Sequence, residues 1–206
     1  MLIDGSVGHN AGQIEIAVED NGSNQDSKRD TATPIAVLSH PHPQYGGSMH
    51  DAVLHCAAKA LGQADIPSVR FNFRGVGASS GQFDHGNGEC DDLAAVCAWA
   101  EREFSSRPLW VVGYSFGAHV TYRTLPSLSA ERALLIAPPV GMMSFDPINS
   151  DARVHAIAGD QDDFVDRATF ADWEGVATEL LPGADHFFAG QQARLEAAIT
   201  QWISAA

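Results

Sequence analysis

The chain has 206 residues, with 26 acidic and 12 basic side chains, and carries a formal charge of −14 at neutral pH. This balance argues against nucleic acid or an anionic membrane as a partner, because both require a positively charged surface. A hydrophobic fraction of 45% and only 18% charged residues exclude a wholly disordered chain. No apolar run is long enough for a transmembrane helix, and the length predicts a single domain over residues 1–206.

The N-terminus and the cysteines both favour a cytoplasmic protein. Residues 1–6 show neither the basic start nor the apolar segment of a secretory signal. The three cysteines, Cys56, Cys90 and Cys97, are too few for a disulfide framework. We expect Cys90 and Cys97 to lie on one helix and to pack as small apolar side chains.

The first 33 residues are predicted to form a strand and a flexible polar loop. Residues 14–18 alternate between apolar and polar side chains, which is typical of a strand. Residues 20–33 are rich in Asn, Asp and Ser and predict a loop, to which we assign no role.

From residue 34 onward, predicted strands and helices alternate. Apolar runs predict strands at 35–38, 69–73, 109–112, 133–137, 154–158 and 178–181. Helical spacing of apolar residues predicts helices at 53–61, 87–104, 118–125, 167–173 and 195–202, the first ending at Gly62. This order implies right-handed crossovers and a mostly parallel sheet covered by helices on both faces. Functional residues are therefore expected just after the strands, where ligands bind in such sheets.

The clearest catalytic motif is Gly-Tyr-Ser-Phe-Gly at residues 113–117, between a predicted strand and a predicted helix. This is the context of a nucleophile elbow, in which a tight turn exposes the serine hydroxyl. Gly113 and Gly117 provide the space that the crowded strand and helix require, and Ser115 is expected to adopt a strained backbone conformation. A Gly- and Ser-rich turn without catalytic function is the alternative, which the strand–turn–helix context disfavours.

A serine nucleophile needs a base, and in this kind of sheet the base follows an acid along the chain. His186 is the candidate base, since it alone among the nine histidines lies in a post-strand loop C-terminal to Ser115. His119 falls within a predicted helix and His155 within a predicted strand, where structural or surface roles are expected.

The loop after the predicted strand 154–158 contains three candidate acids, Asp160, Asp162 and Asp163. Asp162 is preferred because it has room to reach His186, whereas Asp160 follows the strand directly and could shape the turn. Asp160 and Asp163 remain open as alternatives. A calcium loop is disfavoured because the required Gly and bidentate Glu are missing.

Acyl transfer also needs hydrogen-bond donors for the developing oxyanion. The backbone N–H of Phe116, the residue after the nucleophile, is one expected donor. The other is expected from the loop at 39–47, where Pro41 and Pro43 have no N–H. The backbone of His42 is the preferred donor, with Tyr45 in reserve.

The N-terminal histidines His40, His42, His50 and His55 could also be interpreted as a metal cluster. Zinc is disfavoured, because the chain has no cysteine pair of zinc-binding spacing and the histidines do not share a helix face. We therefore expect no metal and no cofactor.

Several motifs, in order, resemble the α/β-hydrolase superfamily, and more narrowly the small cap-less bacterial serine hydrolases of the dienelactone-hydrolase-like kind. They are His-Pro-His-Pro-Gln-Tyr-Gly-Gly-Ser-Met at 40–49, Arg-Phe-Asn-Phe-Arg-Gly-Val-Gly-Ala-Ser-Ser-Gly at 70–81, the serine motif at 113–117, the acid loop at 159–165 and Gly-Ala-Asp-His-Phe-Phe at 183–188. The resemblance covers residues 34–206 and implies an α/β-hydrolase fold, with a structural role for Arg74. Dienelactone hydrolases use a cysteine nucleophile, whereas this chain has Ser115.

The spacing predicts an open site, because only residues 138–153 are left between Ser115 and Asp162 for a lid. We therefore expect a serine esterase for short-chain or small carboxylic esters, working through an acyl-enzyme. Ser115 would be the nucleophile, His186 the base and Asp162 the acid. The same machinery could serve a thioesterase or an acyltransferase, and a catalytically silent fold that binds a ligand or partner is a further alternative.

Overall fold

The computed structural model describes residues 1–5, 12–20 and 33–205. The strands of these residues are β1 Leu2–Asp4, β2 Gln13–Glu19, β3 Ile35–Ser39, β4 Ser68–Phe71, β5 Leu109–Tyr114, β6 Ala130–Ile136, β7 Arg153–Gly159 and β8 Val176–Leu181. The α-helices are α1 Ala52–Gln63, α2 Asn87–Glu103, α3 Phe116–Thr124, α4 Arg167–Ala171 and α5 Gln192–Ser204. Residues 21–32 of the predicted polar loop lie outside the described residues.

All eight strands belong to one sheet, in the order β1-β2-β4-β3-β5-β6-β7-β8. The two N-terminal strands are antiparallel to their neighbours, and the pairs from β4 to β8 are parallel. The carboxyl ends of β3 to β8 therefore lie along one edge, and their loops meet there. The prediction of a mostly parallel sheet is confirmed.

Apolar side chains on the two faces of the sheet build two separate cores. Along β3, Ile35 and Val37 belong to one core, and Ala36 and Leu38 belong to the other. This division follows from the alternation of side chains along a strand. Helices α2, α3 and α4 cover the first core, and α1 and α5 cover the second.

The predicted elements differ from the structure mainly at their ends. Strand β5 extends through Gly113 to Tyr114, and α3 begins at Phe116 instead of 118, so only Ser115 separates them. Helix α1 continues one residue beyond Gly62, where a stop was predicted. The short strand β1 was not predicted.

The segment between β6 and β7 determines how open the functional edge is. Residues 137–152 contain no helix or strand, so nothing in this described segment has the form of a helical lid. The fold is thus the α/β-hydrolase fold without a lid, as predicted. In the part of the chain that the structure describes, no helix is long and apolar enough to cross a bilayer.

Candidate active site

The turn from β5 to α3 presents Ser115 at the carboxyl edge of the sheet. Ser115 has φ 54° and ψ −116°, a conformation that a residue with a side chain rarely adopts. Its N–H donates to Ile136 O on the neighbouring strand at 2.8 Å, which helps to hold this geometry. The strained backbone predicted for Ser115 is present.

The two glycines of the motif make this turn possible. A Cβ atom on Gly113 would lie 2.4 Å from Gly117 O, and a Cβ on Gly117 would lie 2.4 Å from Ser39 O. Both approaches are to backbone atoms, which cannot easily move away. The same closeness brings the start of α3 against the loop that follows β3.

Ser115, His186 and Asp162 form a continuous chain of hydrogen bonds. His186 Nδ1 lies 2.7 Å from Asp162 Oδ2, and His186 Nε2 lies 2.9 Å from Ser115 Oγ. The Asp162 side chain is fully buried, and its Oδ1 accepts the Phe164 N–H at 2.9 Å. With the proton on Nδ1 donated to Asp162, the Nε2 lone pair is available to accept the Ser115 hydroxyl.

The other nearby carboxylates have different partners. Asp160 Oδ1 accepts the Gly183 N–H at 2.7 Å and so fixes the turn that precedes His186. Asp163 is exposed. Asp185 accepts the N–H groups of the two residues Phe187 and Ala189 at 3.0 Å each. Among the three candidate acids, Asp162 is thus the one that the structure brings to His186.

The loops after β7 and β8 approach each other closely enough to join the acid and the base. A Cβ on Gly159 would lie 2.0 Å from Ala184 O, and the Gln161 N–H donates to the same oxygen at 2.9 Å. The Tyr114 hydroxyl donates to His186 O at 3.1 Å, and burial raises the pKa of Tyr114. Gly159 and Tyr114 belong to the motifs at 159–165 and 113–117, but these supporting roles were not predicted, because they depend on contacts between distant segments.

The loop after β3 lies beside the nucleophile, where an oxyanion donor was predicted. The rings of His42 and Phe116 have centroids 4.9 Å apart. Within the described residues, the His42 N–H donates to no protein acceptor, and the Phe116 N–H opens α3 without an intrahelical partner. The N–H of Tyr45, the reserve candidate, already donates a hydrogen bond to His42 O at 3.1 Å.

His40 holds this loop in place through both of its ring nitrogens. Nδ1 lies 2.6 Å from Pro41 O, and Nε2 accepts the Phe73 N–H at 3.0 Å, which places the proton on Nδ1. Burial lowers the pKa of His40 to about 4, so the ring is neutral near pH 7. The role of His40 in holding this loop depends on its contact with Phe73 of a distant segment, which the sequence motif at 40–49 does not show.

Three of the four N-terminal histidines have hydrogen-bond contacts of their own through the ring. His42 Nδ1 accepts the Gln44 N–H at 3.2 Å, and His55 Nε2 lies 3.0 Å from Arg70 Nη1. In residues 1–5, 12–20 and 33–205, no three His, Cys, Asp or Glu side chains come together as a metal site.

Arg74 connects the loop after β4 to α2. Its guanidinium and its backbone N–H all donate to Asp92, with Nη2 2.8 Å from Oδ1. A Cβ on Gly88 would lie 1.7 Å from Arg74 Nη1, so the glycine leaves room for this ion pair. The expected structural role of Arg74 agrees with these contacts.

The assembled residues have the parts that acyl transfer requires. They offer a hydroxyl beside an imidazole, a buried carboxylate behind the imidazole, and the backbone N–H of Phe116 next to the serine, with the His42 ring packed against Phe116.

Comparison with known proteins places this geometry in a family. The family model of serine aminopeptidase S33 matches residues 44–166, which is more than half of the chain. The chain is 31% identical over 188 residues to the uncharacterized protein RP471 of Rickettsia prowazekii, covering 82% of this chain and 78% of that protein.

Solved structures that resemble this chain over nearly its full length include two α/β serine hydrolases. XC6422 from Xanthomonas campestris, an α/β serine hydrolase without a lid, has 35% identity and a TM-score of 0.86, covering 100% of this chain and 93% of that one. An α/β serine hydrolase homologue from Coxiella burnetii has 31% identity and a TM-score of 0.85, covering 98% and 95%. The predicted superfamily is confirmed: this chain is an α/β serine hydrolase and belongs to the serine aminopeptidase S33 family.

Proposed function

We propose that this protein is a serine esterase that cleaves short-chain or small carboxylic esters through an acyl-enzyme. The observation that carries the proposal is the chain of hydrogen bonds from Ser115 Oγ through His186 to Asp162, with distances of 2.9 and 2.7 Å. A serine hydroxyl becomes a competent nucleophile when a base is in hydrogen-bond contact and a third group orients that base.

In the first half of the reaction, Ser115 Oγ attacks the ester carbonyl while its proton passes to His186 Nε2. Asp162 stabilises the resulting imidazolium through Nδ1, and the N–H groups of Phe116 and His42 stabilise the oxyanion. The carbon–oxygen bond to the alcohol then breaks, and His186 Nε2 returns the proton to the departing oxygen.

In the second half, water releases the acyl group. His186 accepts a proton from water as the water oxygen attacks the acyl carbon, and it then protonates Ser115 Oγ as that oxygen leaves. Ester plus water thus gives acid plus alcohol, and the enzyme returns to its starting state.

The family description raises a second candidate, hydrolysis of the first peptide bond of a peptide. An aminopeptidase has to bind a free ammonium group, for which a carboxylate near the serine is the expected partner. Three described carboxylates around the triad already bind backbone N–H groups: Asp51 accepts the Val53 N–H, and Asp160 and Asp185 accept N–H groups in the loops around His186. We therefore favour esters over peptides.

The test compares p-nitrophenyl acetate and its longer homologues with leucine p-nitroanilide, using the wild type and Ser115→Ala. We expect turnover of the acetate that falls with acyl length, little turnover of the anilide, and loss of activity in Ser115→Ala. Faster turnover of the anilide would favour the aminopeptidase. If a folded wild type turned over none of these and a fluorophosphonate probe did not label Ser115, the serine hydrolase mechanism would be rejected.

A further inference from the structure

Three large apolar side chains remain exposed on loops that follow β3, β6 and β8. Tyr45 is 87% exposed, Met142 is 68% exposed and Phe187 is 65% exposed. Exposed large apolar side chains that gather around a functional site commonly mark a binding surface. The ring contacts of Phe187 and Tyr45 show where these two side chains lie relative to the triad.

Phe187 lies on the His186 side. The Phe187 ring stands edge-on to the His186 ring, with centroids 5.3 Å apart and an interplanar angle of 90°. The partly buried Phe164 contacts the same imidazole, with centroids 4.5 Å apart. We call Phe164 and Phe187 the leaving-group face, for the reason that follows.

Tyr45 lies next to the expected oxyanion donors. Its ring is 4.7 Å from that of His42, which in turn contacts Phe116 at 4.9 Å. The substrate carbonyl oxygen has to point toward the N–H groups of His42 and Phe116 for the oxyanion to be stabilised.

The chemistry then decides which part of an ester meets the leaving-group face. His186 Nε2 has to lie within hydrogen-bond reach of the departing oxygen in order to protonate it. The alcohol part of the ester is therefore held beside His186, where Phe164 and Phe187 contact the imidazole.

We propose that the leaving-group face binds an apolar alcohol group, so that the substrates of this enzyme are esters of aromatic or compact hydrocarbon alcohols. This inference rests on the proposed esterase function and extends it to the alcohol side of the substrate. The two aromatic rings offer dispersion and edge-to-face contacts to such a group, and the exposed surface of Phe187 loses water when the group binds.

A different role for Phe187 would be to shield His186 from water. Shielding would change the behaviour of the imidazole for every substrate, whereas recognition of the alcohol changes the rates of some esters and not of others. The two roles are therefore separable by comparing esters that share an acyl group.

The experiment uses benzyl acetate and 2-methoxyethyl acetate, which give the same acetyl-enzyme and release primary alcohols of similar acidity. For the wild type we expect a higher kcat/KM with benzyl acetate. For Phe187→Ser, we expect the benzyl-to-methoxyethyl ratio of kcat/KM to fall by about tenfold. Leu2→Ser removes an apolar side chain that is 45% exposed on β1, away from the site, and serves as the matched control.

Single-turnover measurements identify the step that changes. The alcohol has left before deacylation, so the selective loss has to occur in acylation, and the decay of the acetyl-enzyme is compared as an internal reference. If the benzyl-to-methoxyethyl ratio of kcat/KM does not change in Phe187→Ser, whether or not both rates fall, the leaving-group face is overturned while the esterase function stands. Failure of the wild type to hydrolyse either ester, together with no fluorophosphonate labelling of Ser115, would overturn both proposals.

Discussion

Strands β7 and β8 support two histidine–carboxylate pairs, and the pairs lie in different surroundings. Within the strands, His155 Nε2 is 3.7 Å from Glu179 Oε2, and the two side chains are 26% and 34% exposed. Beyond the carboxyl ends, His186 Nδ1 is 2.7 Å from Asp162 Oδ2, and those side chains are 9% and 0% exposed.

The two pairs differ in geometry because strand pairing positions His155 and Glu179, whereas loop contacts position His186 and Asp162. Strand pairing sets His155 opposite Ala177 and Glu179 opposite Ile157, so this histidine and this carboxylate are diagonal neighbours at a spacing fixed by the sheet. Asp162 and His186 lie on loops that fold toward each other, so their side chains reach hydrogen-bond distance and meet Ser115. A histidine near a carboxylate is thus not sufficient for catalysis, because the third partner and the geometry also matter.

Replacing the two histidines in turn gives the largest expected contrast. His186→Gln removes the proposed base, and we expect kcat for p-nitrophenyl acetate to fall by about 10⁴-fold or more. His155→Gln should leave kcat nearly unchanged, since His155 lies within β7, away from Ser115. Steady-state kinetics on both folded variants checks this. Similar kcat values in the two variants would contradict the assignment of the base.

The carboxylates give the next contrast. Asp162→Asn places an amide where His186 Nδ1–H needs an acceptor, which favours the wrong imidazole tautomer, and we expect a loss of about 10³–10⁴-fold in kcat. Glu179→Gln is the matched control and should show little change. Full activity in Asp162→Asn, measured in the same assay, would contradict Asp162 as the acid and favour Asp160 or Asp163.

A glycine pair tests the close approach that unites the acid and the base. Gly159→Ala forces a Cβ to within 2.0 Å of Ala184 O, and we expect a loss of about 2–3 kcal/mol in the free energy of unfolding. Gly175→Ala, just before β8, meets no atom within 4 Å and bears only the strain of φ +77°, about 1 kcal/mol. Urea denaturation measures both, and a larger loss for Gly175→Ala would argue against this packing.

The smallest expected effect concerns the titration of His155. Burial lowers the pKa of His155, and the Glu179 carboxylate partly opposes this by favouring the imidazolium. Glu179→Gln should therefore lower the pKa of His155 further, as followed by NMR titration of its imidazole.

The sign of the accompanying stability change follows from proton binding. Between the lowered folded pKa and the unfolded value of about 6.5, the unfolded chain binds more protons at His155. The free energy of unfolding therefore falls as the pH drops below about 6.5, and in Glu179→Gln the decrease continues to lower pH. A pKa of His155 that rose in Glu179→Gln would contradict this account.

Most of the fold could be predicted, because apolar periodicity is a local property. The runs at 35–38 and 133–137 correspond to β3 and β6, and the alternation of strands and helices implied the parallel sheet. The predictions were least accurate at Gly62 and Gly113, which were treated as boundaries although α1 and β5 continue through them. A glycine can lie inside a helix or strand where another segment packs closely, or it can end that element. Only the residues that contact the glycine in the fold distinguish these two roles.

The sequence by itself determined the chain order of Ser115, Asp162 and His186 and their positions after strands. Only the tertiary structure decided which of three aspartates contacts His186, why the His42 N–H is free while that of Tyr45 is used, and that Tyr114 and His40 support the site. The physical reason is distance along the chain. Ser115 and His186 are 71 positions apart, and their contact depends on the pairing of several strands and on loop closure, neither of which a local pattern encodes.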